Sequence, residues 1–196
     1  MKKIFSILFV ILIAFTTSLF AEDNQSIKRI SEGEENASII IIVYESLTCG
    51  HCADFHKNVY PNLKKDFIDK GLVRIEFRHF PLDIAAFNAS KIGQCNNDGN
   101  ADVLNILYSG QKKWAKGKSP EEATMYLKNF LKDEGVNVSF EKCLNNKAIE
   151  DFVLNDRIEG VKKFKVNATP TIIINDKKFD KALNYKNLKK YLEKLI

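Results

Sequence analysis

Four cysteines are present, and two of them stand three residues apart in Cys49-Gly50-His51-Cys52. Sulfurs at that spacing sit one helical turn apart, close enough to form a short disulfide or to open to a dithiol, so the pair is a redox device. If a helix begins at Gly50, the Cys49 sulfur lies beside its unpaired N–H groups and the positive end of its dipole, and both favour thiolate over thiol. His51, between the two cysteines, adds a donor and can carry positive charge next to the same anion. A stabilised thiolate leaves readily from a disulfide. The oxidised pair should therefore hand its bond to another protein, and the reduced pair should be the more stable state. Cys49 is expected to be the exposed, attacked sulfur and Cys52 its buried resolving partner. Zinc is the competing chemistry, since Cys49, His51, Cys52 and His56 fall within eight residues. Structural zinc uses ligand pairs separated by a longer loop, and His51 inside a helical turn points away from a common centre. No metal or other cofactor is expected.

The elements around the pair follow from periodicity. Ile39 to Val43 is too short for an ordinary helix and rich in β-branched residues, which predicts a buried central strand delivering Cys49 to the next element. Phe55, Val59, Leu63 and Phe67 then recur at helical spacing over residues 50 to 70, with Pro61 expected to kink or split that helix and Gly71 to end it. Leu72 to Phe77 alternates as a second strand, so strand, helix and strand form a parallel unit with a right-handed crossover. Ahead of it, the alternation around Ile27 and Ile30 predicts an edge strand and Ser31 to Asn36 a turn.

From residue 84 to 164 only helices are expected: Ala85 to Asn96, Ala101 to Lys113, one opened by the capping box Ser119-Pro120-Glu121-Glu122, Phe140 to Asn145, and Lys147 to Phe164. The last should bury Ile149, Phe152, Val153, Val161 and Phe164. Strand signal returns at Thr171 to Ile174, with a turn at Asn175-Asp176 and a short run at Lys178-Phe179. A final helix carries Tyr185, Leu188, Leu192 and Leu195 on one side. The organisation is thus an α/β domain over residues 22–83 and 165–196, interrupted by an all-helical insertion at 84–164.

Met1-Lys2-Lys3, the apolar run Ile4 to Phe15 and the stretch Thr16 to Ala21 have the three parts of a secretory signal, with cleavage expected after Ala21 or Ser18; an uncleaved anchor is the alternative. Loss of Lys2 and Lys3 lowers the formal net charge from +5 to about +3, and Lys and Glu are interspersed, so no nucleic acid is expected as a partner. Export places the cysteines in an oxidising compartment. Cys95 and Cys143 both lie in the helical block and are read as a structural disulfide, against two separate buried thiols or a redox-regulating pair. The bridge would close about 49 residues and, by chain entropy, add on the order of 4 kcal/mol. In Ala168-Thr169-Pro170-Thr171 a proline precedes a strand, where its missing N–H is tolerated. The sharper reading is a cis Thr169–Pro170 bond beside the cysteines, with Thr169 offering its N–H and C=O to an extended client segment. His56, His79 and Trp114 are read as packing residues.

Cys49-Gly50-His51-Cys52 with its preceding strand, Phe77-Arg78-His79-Phe80-Pro81-Leu82-Asp83, the helical insertion with Trp114-Ala115, and Ala168-Thr169-Pro170-Thr171 together resemble the DsbA family of thioredoxin-fold thiol oxidases. The resemblance spans about Ser38 to the C-terminus. It implies a thioredoxin fold with an inserted helical domain and a cis Pro170 touching the cysteine pair. It further implies oxidation of newly exported client proteins in the periplasm by a monomer, through a mixed disulfide, with reoxidation by a DsbB-like membrane quinone reductase. A disulfide isomerase or reductase kept reduced by a membrane partner, and a non-catalytic peptide-holding module, are the alternatives. Two positions depart from the family pattern. Gly50 stands where DsbA has proline, making Cys-Gly-His-Cys similar to protein disulfide isomerase, and the buried acid that relatives carry six residues before the first cysteine is Val43 here. Glu45 is the nearest acid, on the same face by strand alternation; a solvated glutamate is the other reading.

Overall fold

The computed structural model describes residues 26–196, so the expected leader at residues 1–21 lies outside the described residues. Among the described residues no helix is long and apolar enough to cross a membrane. Five strands form one sheet: β1 (Ser31–Glu32), β2 (Ile39–Glu45), β3 (Val73–His79), β4 (Thr171–Ile174) and β5 (Lys177–Lys178), in the order β1-β3-β2-β4-β5. The central β2 runs parallel to β3, from Ile39 opposite Val73 to Glu45 opposite His79, and antiparallel to β4, with Tyr44 opposite Thr171. Its alternation sends Ile39, Ile41, Val43 and Glu45 to one face and Ile42 and Tyr44 to the other, where they meet Phe80, Val166 and Ile173. Cover on both faces is why the segment reads as an unbroken apolar run. The edge strand falls at Ser31–Glu32, later than the alternation at Ile27 and Ile30 predicts. The turn begins at Gly33, whose φ is +100° and where a Cβ would stand 2.4 Å from the Val73 carbonyl, so only glycine lets the chain turn this close to β3.

The helix expected over residues 50 to 70 is divided. Helix α1 (Gly50–Asn58) ends at Val59, α2 (Tyr60–Leu63) carries Pro61 in its first turn, and a π-helical turn (Lys64–Ile68) follows. Pro61 has no N–H to continue the α1 ladder, and a restart is the lowest-cost response. Phe55, Val59, Leu63 and Phe67 are all buried as their spacing predicts, and Gly71 ends the segment at φ +70°.

Between β3 and β4 the described chain is helical: α3 (Ile84–Gln94), α4 (Asp102–Ser109), α5 (Gln111–Trp114), α6 (Pro120–Asp133), α7 (Phe140–Leu144) and α8 (Lys147–Phe164). Gly110 divides the helix expected over Ala101 to Lys113. The capping box of α6 is half realised: Ser119 Oγ accepts the Glu122 N–H at 3.2 Å, while the Glu122 carboxylate takes the Lys118 N–H at 2.7 Å.

The stripe predicted on α8 is corrected. Ile149 and Val153 are buried, but Val161 is 46 % exposed and its place is taken by Asp156 and Gly160. Asp156 is paired with Arg29 and accepts the His79 N–H at 3.0 Å, and Gly160 lies under the Tyr44 ring. A buried ion pair and a glycine contact leave no apolar residue for a periodicity argument to find. The closing helix α9 (Tyr185–Leu192) stops before Leu195, which is 44 % exposed instead of in the predicted stripe. One continuous core runs from Val43, Cys52 and Phe55 through Leu104, Leu107 and Trp114 to Leu127, joining sheet and helical block.

Candidate active site

After β2 the chain makes a turn closed by Cys49 N–H to Ser46 C=O at 3.0 Å, which sets Cys49 in an extended conformation (φ −77°, ψ 119°) as the N-cap of α1. Three elements hold that turn. From the start of α3, Asp83 accepts the Thr48 hydroxyl at 2.7 Å while capping the Ala86 N–H at 2.7 Å. From the loop before α3, the Leu82 N–H reaches Ser46 Oγ at 3.3 Å. From α5, Gln111 Nε2 donates to Leu47 C=O at 2.8 Å and to Cys49 C=O at 2.9 Å.

Cys49 is half-buried and Cys52 fully buried, both as thiols. Their chemistry diverges. The Cys49 thiol is lowered to about 5, first by the hydrogen bond from the Cys52 side chain, against burial, and then by Thr169 and the main-chain N–H groups of Cys52 and His51. Its contact with the Thr169 carbonyl at 3.3 Å needs the thiol proton and favours the neutral form, so the donors outweigh it. Burial drives Cys52 the other way, far above the ordinary thiol range, assisted by its bond to Cys49 and the charge of Glu45. At neutral pH the pair is one accessible thiolate beside one buried thiol. The leading contribution is the neighbouring thiol and not the helix end alone. His51 contributes through its main chain; its exposed imidazole makes no side-chain hydrogen bond among the described residues.

The Thr169–Pro170 bond is cis. Beside it a groove of about 520 Å³ is lined by His51, Phe55, Thr169, Pro170, Leu183 and Tyr185. Cys49, His51, Thr169 and Pro170 therefore converge on one surface, with Cys52 buried behind it, although about 120 residues separate the cysteines from the proline loop.

Beneath Cys52 lies a layer that residue patterns alone did not assemble. Glu45 is 3 % exposed, which excludes the solvated reading, and its Oε2 pairs with His56 Nε2 at 2.8 Å. The His56 ring is stacked on Tyr108 of α4 with centroids 4.0 Å apart. Burial, and then the Glu45 charge, hold the Tyr108 phenol well above its usual range. Two signals were available: His56 follows Cys52 by four residues, hence one turn along the same face of α1, and Glu45 shares the alternation of Val43. Gln111 and Tyr108, from the helical block, gave no local signal. Elsewhere Cys95 and Cys143 are joined across α3 and α7 with Cα atoms 5.6 Å apart, His79 is buried against Gln94 at 3.2 Å, and Trp114 is fully buried. Among the described residues no group of three or more His, Cys, Asp or Glu side chains could hold a metal ion.

A family model described as Thioredoxin matches residues 25–194. The crystal structure of Wolbachia pipientis alpha-DsbA1 is similar with a TM-score of 0.76 and 28 % identity, over 85 % of this chain and 90 % of that one. The crystal structure of oxidised BdbD from Bacillus subtilis shares the fold with a TM-score of 0.66 and 23 % identity, over 85 % and 91 % of the two chains. Among curated proteins, disulfide bond formation protein D of Bacillus subtilis is 25 % identical over 175 residues, 83 % of this chain and 74 % of that protein. A Rickettsia conorii relative is 27 % identical over 146 residues, 73 % of this chain and 52 % of that protein; the chain spans about half the length of the curated Rickettsia relatives it matches.

Proposed function

Since the chain belongs to the thioredoxin family, we propose that it is a thiol:disulfide oxidoreductase of the DsbA kind, which donates a Cys49–Cys52 disulfide to exported proteins. The observation that carries this reading is the divergence of the two sulfurs, an accessible Cys49 lowered to about 5 over a buried Cys52 held neutral. In the oxidised protein a client thiolate attacks Cys49 Sγ, the Cys49–Cys52 bond breaks, and Cys52 leaves and takes up a proton. A second client thiolate then attacks the client sulfur of the mixed disulfide and expels Cys49 as a thiolate. The client loses two electrons and the cysteine pair gains them. The low thiol pKa makes Cys49 the good leaving group of the second step, and its accessibility beside a buried Cys52 makes it the target of the first.

The groove at Thr169–Pro170 is the proposed client site, with His51 at its rim. Its position supports this, because Thr169 at its edge touches the Cys49 sulfur at 3.3 Å. The role of Cys95–Cys143 is proposed as structural. Export through the leader at residues 1–21 to the periplasm, action as a monomer, and reoxidation by a DsbB-like membrane quinone reductase complete the reading; the basic, apolar and small-residue order of residues 1–21 supports export, and a disulfide that is given away must be restored by an oxidising partner.

Equilibration with glutathione tests the function: the pair should come out far more oxidising than thioredoxin, and a thioredoxin-like value would replace the oxidase with a reductase. Cys49→Ala should abolish oxidation of a reduced test protein, whereas Cys52→Ala should accumulate mixed disulfides. The reverse pattern would exchange the two roles.

A further inference from the structure

The first residue of α5, Gln111, reaches the redox pair from outside the strand–helix unit that carries it. Gln111 Nε2 spends both protons on that unit, at 2.8 Å to Leu47 C=O and 2.9 Å to Cys49 C=O. The Cys49 carbonyl also accepts the first main-chain bonds of α1, from Cys52 at 3.1 Å and Ala53 at 3.2 Å. Gln111 therefore grips the same peptide whose orientation aims the Cys49 sulfur at the N–H groups of His51 and Cys52.

The amide is itself held. Trp114, fully buried one turn on, donates its indole N–H to Leu107 C=O at 2.9 Å, and the Lys113 N–H closes on Gly110 C=O at 2.7 Å. The tip of the Phe130 ring of α6 abuts Gly110, where a Cβ would stand 1.9 Å from its Cζ. Any larger residue at 110 would push α5 away from Phe130 and move Gln111 with it. Packing in the helical block is thereby connected to the peptide of the reactive cysteine by one buried side chain.

We propose that Gln111 is a positioning residue of the redox centre, through which the helical block keeps the Cys49 peptide in the orientation that exposes its sulfur to the α1 amides. Without its two donors, the Leu47 carbonyl loses its bond to Gln111 and the Cys49 carbonyl is held by the α1 amides alone, so the turn can shift and the sulfur loses part of its alignment with those amides. The thiolate is then less favoured, and the reduced state, which holds that thiolate, loses the same stabilisation. The inference rests on the proposed disulfide exchange, because it concerns the driving force of that reaction.

The test is a thiolate absorbance titration of the reduced full chain together with its equilibrium against glutathione. Gln111→Met keeps the length and packing of the side chain and removes both donors. Its thiolate midpoint should rise by about one pH unit, with a roughly tenfold less oxidising equilibrium. Gln111→Asn keeps the amide but is one methylene short, and should fall between Gln111→Met and the unaltered protein. Circular dichroism and urea unfolding establish that each variant is folded before it is titrated. Should Gln111→Met not fold, the milder Gln111→Asn decides the question alone. A folded variant whose midpoint and glutathione equilibrium match those of the unaltered protein would overturn the positioning role, even with lowered urea stability. The two ideas fail separately: an unaltered protein whose Cys49 ionises like free cysteine defeats the exchange reading, whereas a low midpoint that the variants leave untouched defeats only this one.

Discussion

At the scale of single residues the decisive contrast is between two cysteines three positions apart. Cys49 is lowered to about 5 from an ordinary value of 9.0, which makes folding of the reduced chain pH-dependent. A depressed value means that the unfolded chain binds the proton more tightly than the folded one, so stability rises with pH between the two values. The reduced protein should gain urea stability over its Cys49→Ser variant as pH rises from about 5 towards 9.0, and below about pH 5 the difference should no longer change with pH. Above that window ionisation of Cys52 in the unfolded chain lowers the absolute stability of both proteins, because burial holds Cys52 neutral in the fold, and cancels in their difference. A flat difference would show that Cys49 is not ionised early. The Glu45–His56 pair beneath makes a second prediction. Either Glu45→Ala or His56→Ala alone should cost on the order of 3 kcal/mol by leaving a buried polar partner unpaired. The double variant Glu45→Ala/His56→Ala should cost clearly less than the two single losses together, and simple additivity in urea unfolding would mean the pair is not coupled.

The elements add what single residues cannot. Helix α8 crosses the sheet at Gly160, where a Cβ would approach the Tyr44 ring to 2.7 Å, and Tyr44 is fully buried against β4. Gly160→Ala should therefore destabilise by about 1–3 kcal/mol through overpacking, although alanine is the better helix former. An unchanged or raised urea midpoint would mean α8 can lift off the sheet at no cost. The second case is the covalent tie from the end of α3 to α7. Breaking it in Cys95→Ala/Cys143→Ala should cost on the order of 4 kcal/mol by the loop-closure argument, measured with reductant absent. Thiol titration of the denatured, unreduced protein should find neither Cys95 nor Cys143 free. The first of these two cases also shows where patterns misled. Helix α8 buries Asp156 and Gly160 on its inner face, so its apolar residues point to a stripe that includes the exposed Val161.

For the whole molecule the redox state is a stability variable. Because the thiolate of Cys49 is better stabilised in the fold than in the unfolded chain, the reduced protein should unfold at higher urea than the oxidised one at pH 7. The opposite order would remove the driving force for donating the disulfide. The sheet and the helical block share one core, so this difference should appear as a single cooperative shift and not as separate melting of one part.

The redox pair, the strand that delivers it, the helical face carrying Phe55, Val59, Leu63 and Phe67, and the interruption of an α/β unit by helices were all legible in the chain, because each rests on spacing between near neighbours. Glu45 was legible only as a parity, since alternation says which face it takes and not whether water reaches it. Thr169 beside Cys49 was expected from the proline motif and the family resemblance; what tertiary structure alone decided are the other contacts across long separations, Tyr108 on His56 and Gln111 on the Cys49 carbonyl. Local periodicity reports which face a residue occupies, while the partner on that face is set by how distant elements pack.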